Sequence, residues 1–182
     1  MKADVQVLIQ PYSLVNDRSL LHTLVEELTG GAWKVFRGAV AFAKASGNYG
    51  DLLKAMSSFV EGGGQIDLTF GADTFYGQNA GSDYSAVEGL LSALGNKPTV
   101  RLFLYHEKGR TFHPKLYLFS NEEDGRAMLI VGSSNWSTGG FWDNVEVNVI
   151  VLLDLGDESH KACYEQVQSC FEAYWVEQQN EG

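Results

Sequence analysis

Positive charge is scarce in this 182-residue sequence: 13 Lys and Arg stand against 23 Asp and Glu, a formal net charge of −10. A protein that holds nucleic acid by neutralising many phosphates needs the opposite sign. That mode of binding is excluded for the chain as a whole, and any phosphate chemistry must rest on a local positive site. Cysteine is nearly absent. Cys163 and Cys170 lie in a stretch with helical periodicity, where the helical rise separates their Cα atoms by about 10 Å, beyond the reach of a disulfide; both read as structural filler. Long apolar runs are missing, so no segment reads as a membrane-spanning helix. Met1-Lys2-Ala3-Asp4 does not open a charged-then-apolar leader. These absences predict a cytoplasmic protein with no membrane partner. Repeats, low-complexity tracts and clear linkers are lacking too, and residues 1–182 are expected to form one domain. Hydrophobic content of 45% and charged content of 20% are ordinary for a globular chain.

What is present is an alternation of strand-like and helix-like segments. Val5, Val7 and Ile9 are read as alternating with polar residues, as a first strand. Asp17 can cap a helix reaching Leu28, with Leu20, Leu21, Leu24 and Leu28 on one face, and Thr29-Gly30-Gly31 stops it. "WKVFRGAVAFA" (33–43) is the apolar, β-branched and aromatic run of a buried strand. "YGDLLKAMSSFVEGGG" is a helix ended by Gly62–Gly64, "QIDLTFG" a strand, "YSAVEGLLSALG" a helix and "TVRLFLY" a strand. The rhythm then changes. Residues 112–119, 127–132 and 144–153 are strand-like with no helix between them, the first two joined by the acidic turn "SNEEDG". Residues 157–178 form a last helix. Strand–helix alternation followed by a meander predicts an α/β fold, a mixed sheet with helices on both faces.

"FHPKLYLFSNEEDGRAMLIVGSSNW" (112–136) is the stretch that carries chemistry. Residues two apart on a strand share a face, so His113 and Lys115 point together. Pro114 cannot donate to a ladder, which predicts an edge or an irregularity there. His-x-Lys alone also describes an ordinary exposed face; its surroundings add weight. Gly132-Ser133-Ser134-Asn135 closes the next strand with small residues that let a ligand approach the backbone. Asn135 and Ser134 can donate hydrogen bonds to an anionic oxygen, although the same residues also make simple turns. Glu146 alternates with Val145, Val147 and Val149, and a carboxylate inside a covered sheet needs a partner, which an imidazole would supply.

His113-Pro-Lys115, then Gly132-Ser-Ser-Asn135, then Glu146, in this order and after "FRGAVAFA" and "GGGQIDLTFGA", resembles the phospholipase D superfamily over roughly Val5 to Leu153. The resemblance implies a phospholipase D-like phosphodiesterase domain with catalytic residues His113, Lys115, Asn135 and Glu146, and phosphate-binding residues Lys115, Ser134 and Asn135. His113 Nε2 is the implied nucleophile, Glu146 the partner of His113 Nδ1–H, and Lys115 with Asn135 the holders of the non-bridging oxygens. No cofactor is implied, and no His, Cys and carboxylate cluster has metal-ligand spacing. The superfamily supplies its general acid from a second His-x-Lys. This chain has one copy, with His22, His106 and His160 in no comparable setting, so a homodimer is implied, with two His113 residues facing each other. One departure stands out: Ser120 occupies the place of an Asp five positions after the Lys, as in restriction-nuclease members.

The expected function is thus a metal-independent nuclease acting on nucleic acid, DNA first, as a module of a restriction, repair or helicase-associated protein with separate DNA-binding parts. Two alternatives stay open: an inactive dimerisation or interaction domain, which Ser120 and the acidic charge favour, and a lipid phosphodiesterase, which would want a basic amphipathic helix that the sequence lacks. Arg101, His106, Lys108 and Arg110 form a short basic stretch that can guide a phosphate backbone or simply be a solvated loop. Phe75 and Tyr76 can stack on a base or belong to a long connection. Trp136, Phe141 and Trp142 flank the Gly-Ser-Ser-Asn turn; they can wall the pocket or sit at the dimer contact, and packing is the expected role of all three.

Overall fold

The computed structural model describes residues 4–11, 19–72 and 81–175. Its centre is one seven-stranded sheet in the order β1-β7-β6-β5-β2-β3-β4, built from β1 (Asp4–Gln10), β2 (Val35–Val40), β3 (Gln65–Gly71), β4 (Val100–Tyr105), β5 (Lys115–Asn121), β6 (Arg126–Gly132) and β7 (Glu146–Asp154). The β2-β3 and β3-β4 pairs are parallel and the other four antiparallel. This is the mixed sheet expected. The helices α1 (Leu20–Thr29), α2 (Gly50–Glu61) and α3 (Tyr84–Leu94) supply the crossovers that parallel strands require. They cover one face, where their leucines meet Phe36, Phe70, Tyr117, Phe119 and Ile150. The last helix, α4 (Glu158–Trp175), covers part of the other face, over Ala39, Leu118, Ala127 and Leu129. No described helix is long and apolar enough to cross a membrane.

Local chemistry explains most boundaries. Ser19 caps α1, its hydroxyl accepting from the His22 amide at 3.4 Å; the expected cap, Asp17, lies outside the described residues. The "SNEEDG" turn joins β5 to β6 as an antiparallel hairpin. Asn121 braces it by accepting from the Asp124 amide, and Gly125 takes φ +65°.

One expectation is corrected. Pro114 does not mark an edge: β5 lies inside the sheet, between β6 and β2. The proline stands one residue before the strand, and its carbonyl accepts from Ala41, so its missing N–H interrupts no ladder. His113 accordingly sits in the extended approach to β5 rather than on it. The apolar alternation of β1 is turned outward. Leu8 and Gln10 are buried, while Val5, Val7 and Ile9 are 56%, 59% and 41% exposed. They continue onto exposed Val147 of β7 and Val131 of β6, the part of that sheet face that α4 leaves bare.

Candidate active site

The side chains of β5 alternate between the two faces, with Tyr117 and Phe119 toward α1–α3 and Leu116 and Leu118 toward α4. Lys115 shares the face of Tyr117, and it begins the strand at the end where β7 begins with Glu146. Lys115 is 9% exposed, whereas His113 just ahead of it is exposed. The ammonium lies 2.8 Å from His113 Nδ1 and 3.0 Å from Nε2, and donates to the His113 carbonyl at 3.3 Å. A neutral imidazole has a single acceptor nitrogen, so one of the two ring contacts is a hydrogen bond at a time. The edge of the imidazole meets Phe42 at 5.7 Å between ring centroids. Burial pushes the Lys115 pKa down, and the nearby Glu146 carboxylate opposes that by favouring the ammonium.

The hydrogen bonds of Glu146 do not run to His113. Its carboxylate accepts from the Ser133 hydroxyl and from Asn144 Nδ2, the latter at 3.2 Å. A carboxylate 7% exposed is thereby satisfied by neighbours in the chain. Glu146 reaches the His113 pair through charge on Lys115 instead of through the ring.

The Gly-Ser-Ser-Asn turn divides its two serines. Ser133 is exposed and meets Glu146. Ser134 is fully buried: its hydroxyl accepts from Asn148 Nδ2 at 2.9 Å and its carbonyl from the Tyr117 hydroxyl at 3.1 Å. The expected phosphate contact from Ser134 is therefore redirected inward, and the serine braces the turn from below. Asn135 is half-buried, with Oδ1 buried and without a partner among the described residues. Its backbone is held by Gly140 in a π-helical turn, Gly139–Asp143, so closely that a Cβ on Gly140 would collide with Asn135. Gly132 is likewise required, since a Cβ there would strike Asn148. Gln10 closes the base, donating to the Gly140 carbonyl and accepting from the Leu20 amide, both at 2.9 Å.

Ser133, Asn144 and Asn148 are the site residues that the sequence reading passed over. Asn148 had a signal: it alternates with Glu146, so a second polar side chain faces inward on β7. Asn144 had the same signal, since it stands two positions before Glu146 in the strand-like run 144–153.

Ser120 stands on the opposite face. It is 2% exposed and meets the Tyr164 hydroxyl of α4. The buried carboxylate on that face is Asp67, which accepts from Arg37 at 3.3 Å and from Arg101 at 2.6 Å. The departure at Ser120 leaves the surroundings of His113 untouched. The basic stretch is also spoken for in part: Arg101 pairs with Asp67 and lies over Trp175, and Arg110 pairs with Glu107 at 3.1 Å. Of the aromatics, Trp136 and Phe141 are core, both 0% exposed, but Trp142 is 45% exposed, against the expected packing role. Phe75 and Tyr76 lie outside the described residues.

Comparison with known proteins gives a consistent picture. NucT from Helicobacter pylori superposes with a TM-score of 0.63 at 16% identity, over 95% of this chain and 96% of that one. Nuc from Salmonella typhimurium, a phospholipase D family member, superposes with a TM-score of 0.58 at 16% identity, over 96% and 95%. The polyphosphate kinase of Porphyromonas gingivalis shares the fold over 97% of this chain and 27% of its own, at 10% identity and a TM-score of 0.56. No curated protein matches the chain in sequence. The family described as cardiolipin synthase, PLD-like domain, matches residues 45–175, the span that holds His113, Lys115, the Gly-Ser-Ser-Asn turn and Glu146, and the chain belongs to this family of the phospholipase D superfamily.

Proposed function

We propose that the chain is a metal-independent phosphodiesterase that cleaves nucleic acid, DNA first, through a phosphohistidine intermediate in a homodimeric site. The observation that carries this reading is the Lys115 ammonium seated against both ring nitrogens of an exposed imidazole. A histidine placed so has a cation beside it where charge gathers on an attacked phosphate, and its exposure leaves the ring open to a large substrate. Among the described residues no three His, Cys, Asp or Glu side chains gather as a metal site.

In the first step the Lys115 ammonium passes from the ring to a non-bridging oxygen, His113 Nε2 gives the lone pair so freed to phosphorus, and the bond from phosphorus to the departing oxygen breaks. Lys115 and Asn135 Nδ2 hold the non-bridging oxygens, and Glu146 keeps Lys115 charged while fixing Ser133. The departing oxygen takes a proton from a second imidazole. In the second step that imidazole takes a proton from water, the water oxygen attacks phosphorus, and the N–P bond breaks, which frees His113 and leaves a phosphate monoester. With one His-x-Lys in the sequence, the second imidazole is His113 of another copy. The exposed valine-rich strip Val5, Val7, Ile9, Val131 and Val147 lies on the opposite sheet face from Lys115 and reaches the end that bears the site at Ile9 and Val147; contiguous exposed apolar surface of this kind supports an assembly of copies. The net charge of −10 assigns tight nucleic-acid binding to further domains or subunits.

The test is cleavage of labelled single- and double-stranded DNA in excess EDTA by wild type and His113→Asn at matched concentration. Chelator-resistant cleavage lost in the variant is expected. Cleavage that survives His113→Asn removes the proposed nucleophile.

A further inference from the structure

We infer that Trp142 is a stacking platform for an unpaired nucleobase, so that the site takes single-stranded nucleic acid; this rests on the nuclease reading above. Trp142 belongs to the π-helical turn Gly139–Asp143, a local form that recurs at functional sites. That turn touches the site twice. Gly140 packs on the Asn135 backbone, and Asn144, two residues after Trp142, donates to Glu146. Phe141 in the same turn is fully buried against Trp136, at 5.2 Å between ring centroids, and anchors it. Trp142 points the other way. It is 45% exposed, and its ring and that of exposed His22 on α1 form a T-shaped pair, 5.0 Å between centroids at 80°. A T-shaped contact with one neighbour fixes the plane of an indole while leaving it open to a further stacking partner. The contact with α1 places Trp142 on the helix-covered side of the sheet, apart from the valine strip on the other face.

Charge decides what such a ring is for. An acidic chain gains little from phosphate contacts along a strand, and Lys44, Arg101 and Arg110 are engaged by Asp83, Asp67 and Glu107. Base stacking is indifferent to charge and sequence and contributes substantially per base. It also requires a base outside a duplex, which makes Trp142 a selector for unpaired strands.

Binding is measured by anisotropy of a dye-labelled oligothymidylate on proteins carrying His113→Asn, with and without Trp142→Ala or Trp142→Phe, and with the same strand annealed to its complement. The expected result is single-strand binding weakened about ten-fold or more by Trp142→Ala, largely restored by Trp142→Phe, and persisting at high salt, where phosphate contacts fade. Duplex binding should be weaker and indifferent to Trp142. Equal single-strand binding with and without Trp142, or no binding by any of these proteins, overturns the inference. So does a loss in Trp142→Ala that sedimentation traces to a change of oligomeric state. Turnover of bis(4-nitrophenyl) phosphate by protein with intact His113 reads the nuclease site separately: failure of the His113 chemistry itself removes it in every variant, whatever stands at position 142.

Discussion

Lys115 must stay charged in a place that resists charge. Burial draws its pKa below the ordinary 10.5, and the Glu146 carboxylate pulls it partly back. The proposed role needs the ammonium, so kcat/KM should fall as pH rises through a pKa lower than that of a free lysine. Glu146→Gln removes the attraction that favours the ammonium, so the alkaline limb should move to still lower pH; a pH–rate profile checks this, and an unmoved limb contradicts the coupling. The same shift has a sign for stability. Between the lowered folded value and 10.5 the unfolded chain binds the proton more tightly, so burying Lys115 opposes folding at neutral pH and that cost fades as pH rises through the window. At this scale the sequence singled out His113, Lys115, Asn135 and Glu146 by type and order. It was not readable for the partners: Glu146 meets Ser133 and Asn144, and Ser134 turns inward to Asn148. Which serine of an adjacent pair faces the ligand depends on the turn conformation, which residue type does not encode.

Elements translate these residues into geometry. The Gly-Ser-Ser-Asn turn is pressed from one side by Gly132 against Asn148 and from the other by Gly140 against Asn135. Gly140→Ala forces a methyl into the Asn135 backbone, an overpacking that costs about 1–3 kcal/mol and displaces the Asn135 amide. Denaturant unfolding should show that loss, and turnover should fall further than stability alone explains; a variant with wild-type Cm and rate would show the turn to be slack. Strands and helices were legible from periodicity because each buries a face, and the hairpin at residues 120–125 from its acidic turn. What was not legible has one physical origin. Alternation in β1 says that two faces differ, not which of them is covered, and Val5, Val7 and Ile9 proved to be the open face. Pro114 reports a missing donor but not that the strand starts one residue later.

For the whole molecule, the proposed homodimer rests on the single His-x-Lys, and the open valine strip is its candidate interface. Val147 is 47% exposed at the site end of β7, beside Glu146. A carboxylate in its place leaves the isolated fold intact and puts charge into the proposed interface. Val147→Asp should therefore sediment as a monomer and lose about 10²- to 10⁴-fold in turnover, the contribution of general acid–base catalysis; a dimeric or fully active variant would move the interface elsewhere. The central claim is that phosphorus passes through His113, and stereochemistry reads it directly. The measurement is hydrolysis of a phosphorothioate diester of known configuration in isotopically labelled water. Each in-line displacement inverts phosphorus, so transfer to His113 followed by transfer to water predicts net retention. Net inversion would mean that water attacks the diester in a single step, and would contradict the account.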